Sequence, residues 1–171
     1  HYEMERHKKE DGTYTNLLVG IDHSALFRVA KGQRDKFEML GALGEALTMM
    51  KKKYPVAFIV LSQLNRNIDD PKRQEEGSYG NYVLDSDIYG SDALLQHADI
   101  VMGINKPSIR KIRQYGPEKF IIEDPDVLVF HFLKSRNGMT RISFFKLDRQ
   151  VMRIVEIDTP PQAVKQKIKV T

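Results

Sequence analysis

Two short apolar runs, LLVGI at Leu17–Ile21 and VAFIVL at residues 56–61, constrain this chain more than any other feature. Each is brief, partly β-branched and closed by polar residues, the pattern of a strand buried on both faces. Between them, over residues 33–54, the apolar positions Phe37, Leu40, Leu43, Leu47, Met50 and Tyr54 recur at steps of three and four. That spacing gathers them on one helical face. Lys51, Lys52 and Lys53 occupy the last turn, where the helix dipole favours cations, and Pro55 ends the helix. Gly41 and Gly44 each cost about 1 kcal/mol relative to Ala, so packing has to sustain this helix. A strand, a long helix and a second strand predict a right-handed parallel crossover.

The rest of the chain changes character twice. Residues 66–85 are polar, aperiodic and rich in Gly, Asp and Lys, and a loop of that length in a compact domain is usually functional. A short helix over 87–96 and a third strand over 99–104 follow, and then a basic connection over 106–126 punctuated by Pro and Gly. Residues 127–133, 142–147 and 151–157 read as strands. The turn signals Arg136-Asn137-Gly138 and Leu147-Asp148-Arg149-Gln150 between them predict antiparallel pairing. The expected fold is α/β, with parallel strands and helices first and antiparallel strands last.

Length and composition remove whole classes of chemistry. The 171 residues leave room for one core and not comfortably for two. No apolar run approaches the roughly 20 residues of a membrane span, so a membrane protein is excluded. The chain has no Cys, which excludes disulfide frameworks, thiolate catalysis and Cys-based zinc sites. The histidines at 1, 7, 23, 97 and 131 show no metal-ligand spacing, and His131 reads as a core or partner-facing residue. A net charge of +4 permits an acidic partner without demanding one. Residues 1–15 are charged and aperiodic, lack the signature of a signal peptide, and are expected to be loop-like or poorly ordered. The main domain is expected over 16–158, with a fraying tail over 159–171.

Ligands of open parallel sheets bind beyond the carboxyl ends of the strands. Asp22 follows the first strand, Gln63 the second, and Lys134 with Arg136 the strand that begins at Val127. An acid in that place can hold hydrated magnesium, an amide can hydrogen-bond a phosphate, and Lys and Arg can reach an anion. Taken singly, each also has an ordinary role as a turn residue or a solvated charge.

Taken together they are specific. LLVGIDHSAL at residues 17–26 ends an apolar strand in Ile-Asp, LSQLNR spans 61–66, SDIYGSDALLQHAD spans 86–99 and KSRNG spans 134–138. In this order and at these separations, the motifs resemble the second half of the RecA-like ATPase domain of DnaB-type replicative helicases, over about residues 16–157. LSQLNR matches that family's motif residue for residue. The resemblance implies that Asp22 binds the Mg²⁺ of ATP and that Gln63 senses the γ-phosphate. It also implies that Arg136, beside Lys134, is an arginine finger reaching the ATP site of an adjacent subunit. The implied assembly is a homo-oligomeric ring, a hexamer as in the family, acting on single-stranded DNA with a primase or loader as further partner, in a bacterial or phage-infected cytoplasm.

The departures are equally definite. No G-x-x-x-x-G-K-[ST] occurs in the chain, and the family's catalytic glutamate is expected upstream of His1, so the isolated chain is expected to be inactive. His23 stands where the family has Tyr. Tyr89 and Gly90 replace an Arg-Glu pair, and Asp92 replaces a Gly, in the segment that contacts DNA. Arg66, and then Lys72 and Arg73 or Lys106, Arg110, Lys111 and Arg113, are the candidates for phosphate contacts. Two alternatives stay open: a non-catalytic RecA-like DNA-binding or assembly module, and a recombinase-type ATPase, which LSQLNR followed by KSRNG disfavours. A partial sheet with an open edge is also expected to self-associate.

Overall fold

The computed structural model describes residues 2–23, 28, 35–74, 82–88, 94–158 and 160–163. They form two compact units, drawn from residues 1–64 with 88–98 and from residues 65–87 with 99–171.

In the first unit, β1 (Leu17–Ile21) and β2 (Val56–Val60) pair in parallel from Leu17↔Val56 to Ile21↔Val60. The pairing runs one step further, with the Leu61 N–H donating to the Ile21 carbonyl at 2.9 Å. The crossover is α2 (Lys36–Lys53), started by Asp35, whose carboxylate accepts from the Glu38 N–H at 2.9 Å. Its contact face differs from the expected stripe. Met39, Leu40 and Gly44 are buried, whereas Phe37 is 55% exposed. Leu43 and Leu94 pack on Met39 and Leu40, and the His97 ring lies so close to Gly44 that a Cβ there would sit 2.5 Å from it. Thr48 Oγ1 and His97 Nδ1 are 3.3 Å apart, which holds the ring against the helix.

The N-terminal segment is a correction. Expected to be loop-like, it carries the short helix α1 (Tyr2–Arg6), and Met4 is almost wholly buried with Tyr54 and Val56. Tyr14 meets Tyr54 edge-on, with ring centroids 5.1 Å apart. Periodicity cannot reveal Met4 and Tyr14, because the segment contributes single anchors and not a stripe.

The second unit is built on an antiparallel sheet in the order β3-β6-β7-β8: β3 (Ile100–Asn105), β6 (Val127–Ser135), β7 (Arg141–Asp148) and β8 (Arg153–Glu156). The third expected strand therefore joins the antiparallel strands and does not extend the parallel pair. The basic connection over 106–126 is ordered by a 3₁₀ turn at Pro107–Arg110 and a small hairpin of β4 (Gln114–Tyr115) and β5 (Phe120–Ile121). It supplies Ile112, Tyr115 and Ile122 to a core with Val127, Val129 and Phe144. The start of the tail is also held, by the Ile121 N–H donating to the Gln162 carbonyl at 2.9 Å.

The polar stretch after Gln63 is not structureless either. Its described part makes 3₁₀ turns at Arg66–Asp69, Pro71–Gln74 and Asp85–Asp87. Asn65 accepts from the Asn67 N–H at 3.0 Å and donates to the Ser86 carbonyl at 2.6 Å. Arg73 makes a two-pronged pair with the buried Asp87, at 2.5 and 2.9 Å, and also donates to the Tyr82 carbonyl at 3.0 Å. The expected helix over 87–96 is seen only at Leu94 and Leu95; residues 89–93, which include Tyr89, Gly90 and Asp92, lie outside the described residues.

Candidate functional site

Parallel pairing has one direct consequence: the carboxyl ends of β1 and β2 lie side by side. Asp22 follows the last residue of β1, and Gln63 lies three residues beyond the end of β2, after the ladder has run to Leu61. Both are exposed, and neither side chain is engaged by a hydrogen bond among the described residues. His23, next to Asp22, keeps its Nδ1 buried and without a hydrogen-bond partner among the described residues. No group of three or more His, Asp or Glu gathers around a metal position among the described residues. An exposed carboxylate at a strand end fits magnesium, which takes one or two protein carboxylates and fills its other positions with water and phosphate oxygens.

Lys134 and Arg136 belong to the second unit, at the end of β6. The register of β6 on β3 shifts between Val101 and Met102, which face Lys134 and Phe132, so Leu133 is the extra residue of a bulge. A bulge breaks the strict alternation of a strand and re-aims the residues after it. Beyond it, Ser135 pairs with Ile100, and Arg136 comes opposite Asp99. The Arg136 N–H donates to the Asp99 carbonyl at 2.8 Å, and its Nη1 meets the Asp99 carboxylate at 2.7 Å, with both side chains about half exposed. The turn then closes tightly: a Cβ on Gly138 would sit 2.9 Å from Ser135 Oγ. Motif order points to the arginine and passes over the acid, although Asp99 is the last residue of the matched segment.

The basic candidates divide. Arg73 is taken by Asp87, Lys106 pairs with Asp126 at 3.1 Å, and Arg110 Nε pairs with Asp69 at 2.8 Å. Those guanidinium and ammonium groups brace the second unit, and Arg110 ties the turn at Arg66–Asp69 to the turn at Pro107–Arg110. Arg66, Lys72, Lys111 and Arg113 are exposed. Lys111 adopts the left-handed conformation, with φ 56°, as the 3₁₀ turn ends. No described helix is long and apolar enough to cross a membrane.

A parallel strand pair joined by a crossover helix, together with a separate antiparallel sheet, defines an α/β fold. The sequence pattern of the DnaB-like helicase C terminal domain matches residues 2–156, and the chain belongs to that family. Its fold is similar to a solved ATPase domain, with a TM-score of 0.69 at 20% identity over 92% of this chain and 50% of that one. It is also similar to a DnaB-like replicative helicase described with its interactions with primase, with a TM-score of 0.68 at 20% identity over 92% of this chain and 35% of that one. The chain thus spans half or less of the length of these solved chains. No curated protein matches it.

Proposed function

We propose that this chain is the C-terminal part of the ATPase motor of a replicative DNA helicase, coupling ATP hydrolysis at subunit interfaces to translocation on single-stranded DNA and duplex unwinding. One observation carries the reading: in a member of this family, the β1–β2 register sets Asp22 and Gln63 beyond neighbouring strand ends. Asp22 is the residue that would hold Mg²⁺, and Gln63 the residue that hydrogen-bonds the terminal phosphate. Bound Mg²⁺-ATP supplies the phosphoryl group and the charge that the metal neutralises. Arg136, with Lys134 beside it, neutralises charge on the nucleotide of the adjacent subunit, which requires an oligomer, proposed as a hexameric ring. Arg66, Lys72, Lys111 and Arg113 are the exposed cations left for DNA phosphates. A primase or loader is the further partner, and the setting is a bacterial or phage-infected cytoplasm. The chain alone is inactive in this reading, since it carries no phosphate-cradling loop.

The test is ATP hydrolysis by the full-length protein with and without single-stranded DNA. Asp22→Asn lowers the DNA-stimulated rate by about 10²-fold or more, the scale of removing one preorganised electrostatic group. A full-length protein without DNA-stimulated hydrolysis, or one indifferent to Asp22→Asn, overturns the reading.

A further inference from the structure

We infer that Asp99 is a positioning residue for Arg136, the carboxylate that holds the proposed finger at the end of β6. This role for Asp99 rests on the finger role proposed for Arg136.

Strand register brings the two residues together. Ile100 pairs with Ser135 in an antiparallel ladder, so the residues one step further out, Asp99 and Arg136, also stand opposite each other. Directly opposed residues of antiparallel strands project to the same side, within reach of side-chain contact. Asp99 uses this twice. Its carbonyl accepts from the Arg136 N–H at 2.8 Å, which fixes the backbone where β6 ends, and its carboxylate meets Nη1 at 2.7 Å, which fixes the guanidinium. Two contacts from one residue restrain both ends of a side chain that otherwise has freely turning bonds.

The pair is too exposed to be chiefly a stabilising device. With side-chain exposures of 53% and 46%, it belongs to the class of surface ion pairs whose contribution to folding is small. A guanidinium carries five N–H donors, so a contact through Nη1 leaves donors for an anion. Asp99 therefore orients Arg136 without consuming it, in contrast to Asp87, whose two oxygens take both Nη atoms of Arg73. The close fit of Gly138 against Ser135 limits the turn on the other side of Arg136.

The experiment is steady-state ATP hydrolysis by the full-length protein on single-stranded DNA, comparing Asp99→Asn, Asp99→Glu, Arg136→Ala and the Asp99→Asn/Arg136→Ala double variant. Asp99→Asn lowers kcat by about 10- to 100-fold, the scale of misplacing one catalytic group, and leaves KM for ATP within about twofold. Asp99→Glu, which keeps the charge, recovers part of the lost kcat. The double variant is no slower than Arg136→Ala alone, because Asp99 acts through the arginine. An unchanged kcat in Asp99→Asn, while Arg136→Ala abolishes turnover, overturns the positioning role and leaves the finger standing. Additive losses in the double variant also overturn it. Hydrolysis that survives Arg136→Ala overturns the finger role itself, and the positioning role of Asp99 with it.

Discussion

The two units present the proposed site residues in opposite ways. In the first, Asp22 and Gln63 stand at the ends of parallel strands, exposed and without hydrogen bonds among the described residues. In the second, Arg136 leaves the end of an antiparallel strand and is held by Asp99 through main chain and side chain together. Strand direction explains the contrast. Parallel neighbours finish at the same edge, so their ends open together and nothing in the sheet returns to cover them. Antiparallel neighbours run back past each other, so the end of one strand meets the beginning of the next. An open edge suits residues that wait for a ligand; a braced end suits an arm that must arrive at a fixed place.

The comparison can be broken at the braced side first. Asp87 is 1% exposed and opposes Arg73 with two contacts, while its carboxylate also accepts from the Leu84 N–H at 2.8 Å. Asp87→Ala removes the carboxylate that faces Arg73 and accepts from the Leu84 N–H, and costs about 3 kcal/mol or more in denaturant unfolding of the second unit. Asp22→Asn, on the open side, changes stability by less than about 0.5 kcal/mol, since Asp22 makes no side-chain hydrogen bond among the described residues. Equal losses would dissolve the distinction between braced and open positions.

A smaller effect separates two glycines of α2. A Cβ on Gly44 would enter the His97 ring, whereas no atom of the described residues lies within 4 Å of one on Gly41. Gly44→Ala destabilises by about 1–3 kcal/mol, as overpacking does, and Gly41→Ala stabilises by about 0.5–1 kcal/mol through helix propensity. Thermal melts of the two variants should move in opposite directions.

The smallest effect concerns pH and belongs to the second unit. Burial lowers the pKa of His131 below its ordinary 6.5, outweighing the attraction of Glu118 and Asp85. Its ring also lies among Tyr82 and Tyr115, at centroid distances of 5.6 and 6.3 Å. The unfolded chain binds this proton more readily than the folded one, so stability is complete above about pH 6.5 and declines as pH falls below it. His131→Phe should flatten that part of an unfolding-versus-pH curve, measured by urea titration at about pH 7.5 and about pH 5.5.

Much of the parallel unit is legible in the sequence because its signals are local. LLVGI and VAFIVL match β1 and β2 to within a residue, and Pro55 with three lysines marks the end of α2. The face of α2 is not legible at Phe37, because the partners that select a face, Leu94 and His97, lie some fifty positions away in the chain. The connection over 106–126 is harder still. Its contribution to the core comes from Ile112, Tyr115 and Ile122, spaced by turns that have no period. Basic residues mislead for a related reason: Arg73, Lys106 and Arg110 look solvated in sequence, and their acidic partners Asp87, Asp126 and Asp69 lie fourteen to forty-one positions off.

The sequence by itself determined the two parallel strands, their crossover helix and the antiparallel C-terminal strands. All of these rest on short-range rules of apolar spacing and turn chemistry. Only the tertiary structure decided that β3 joins the antiparallel sheet, that Met4 completes a core, and that Asp99 stands across from Arg136. Those outcomes depend on strand register and on contacts between residues far apart in the chain, and neither is written into any local stretch of sequence.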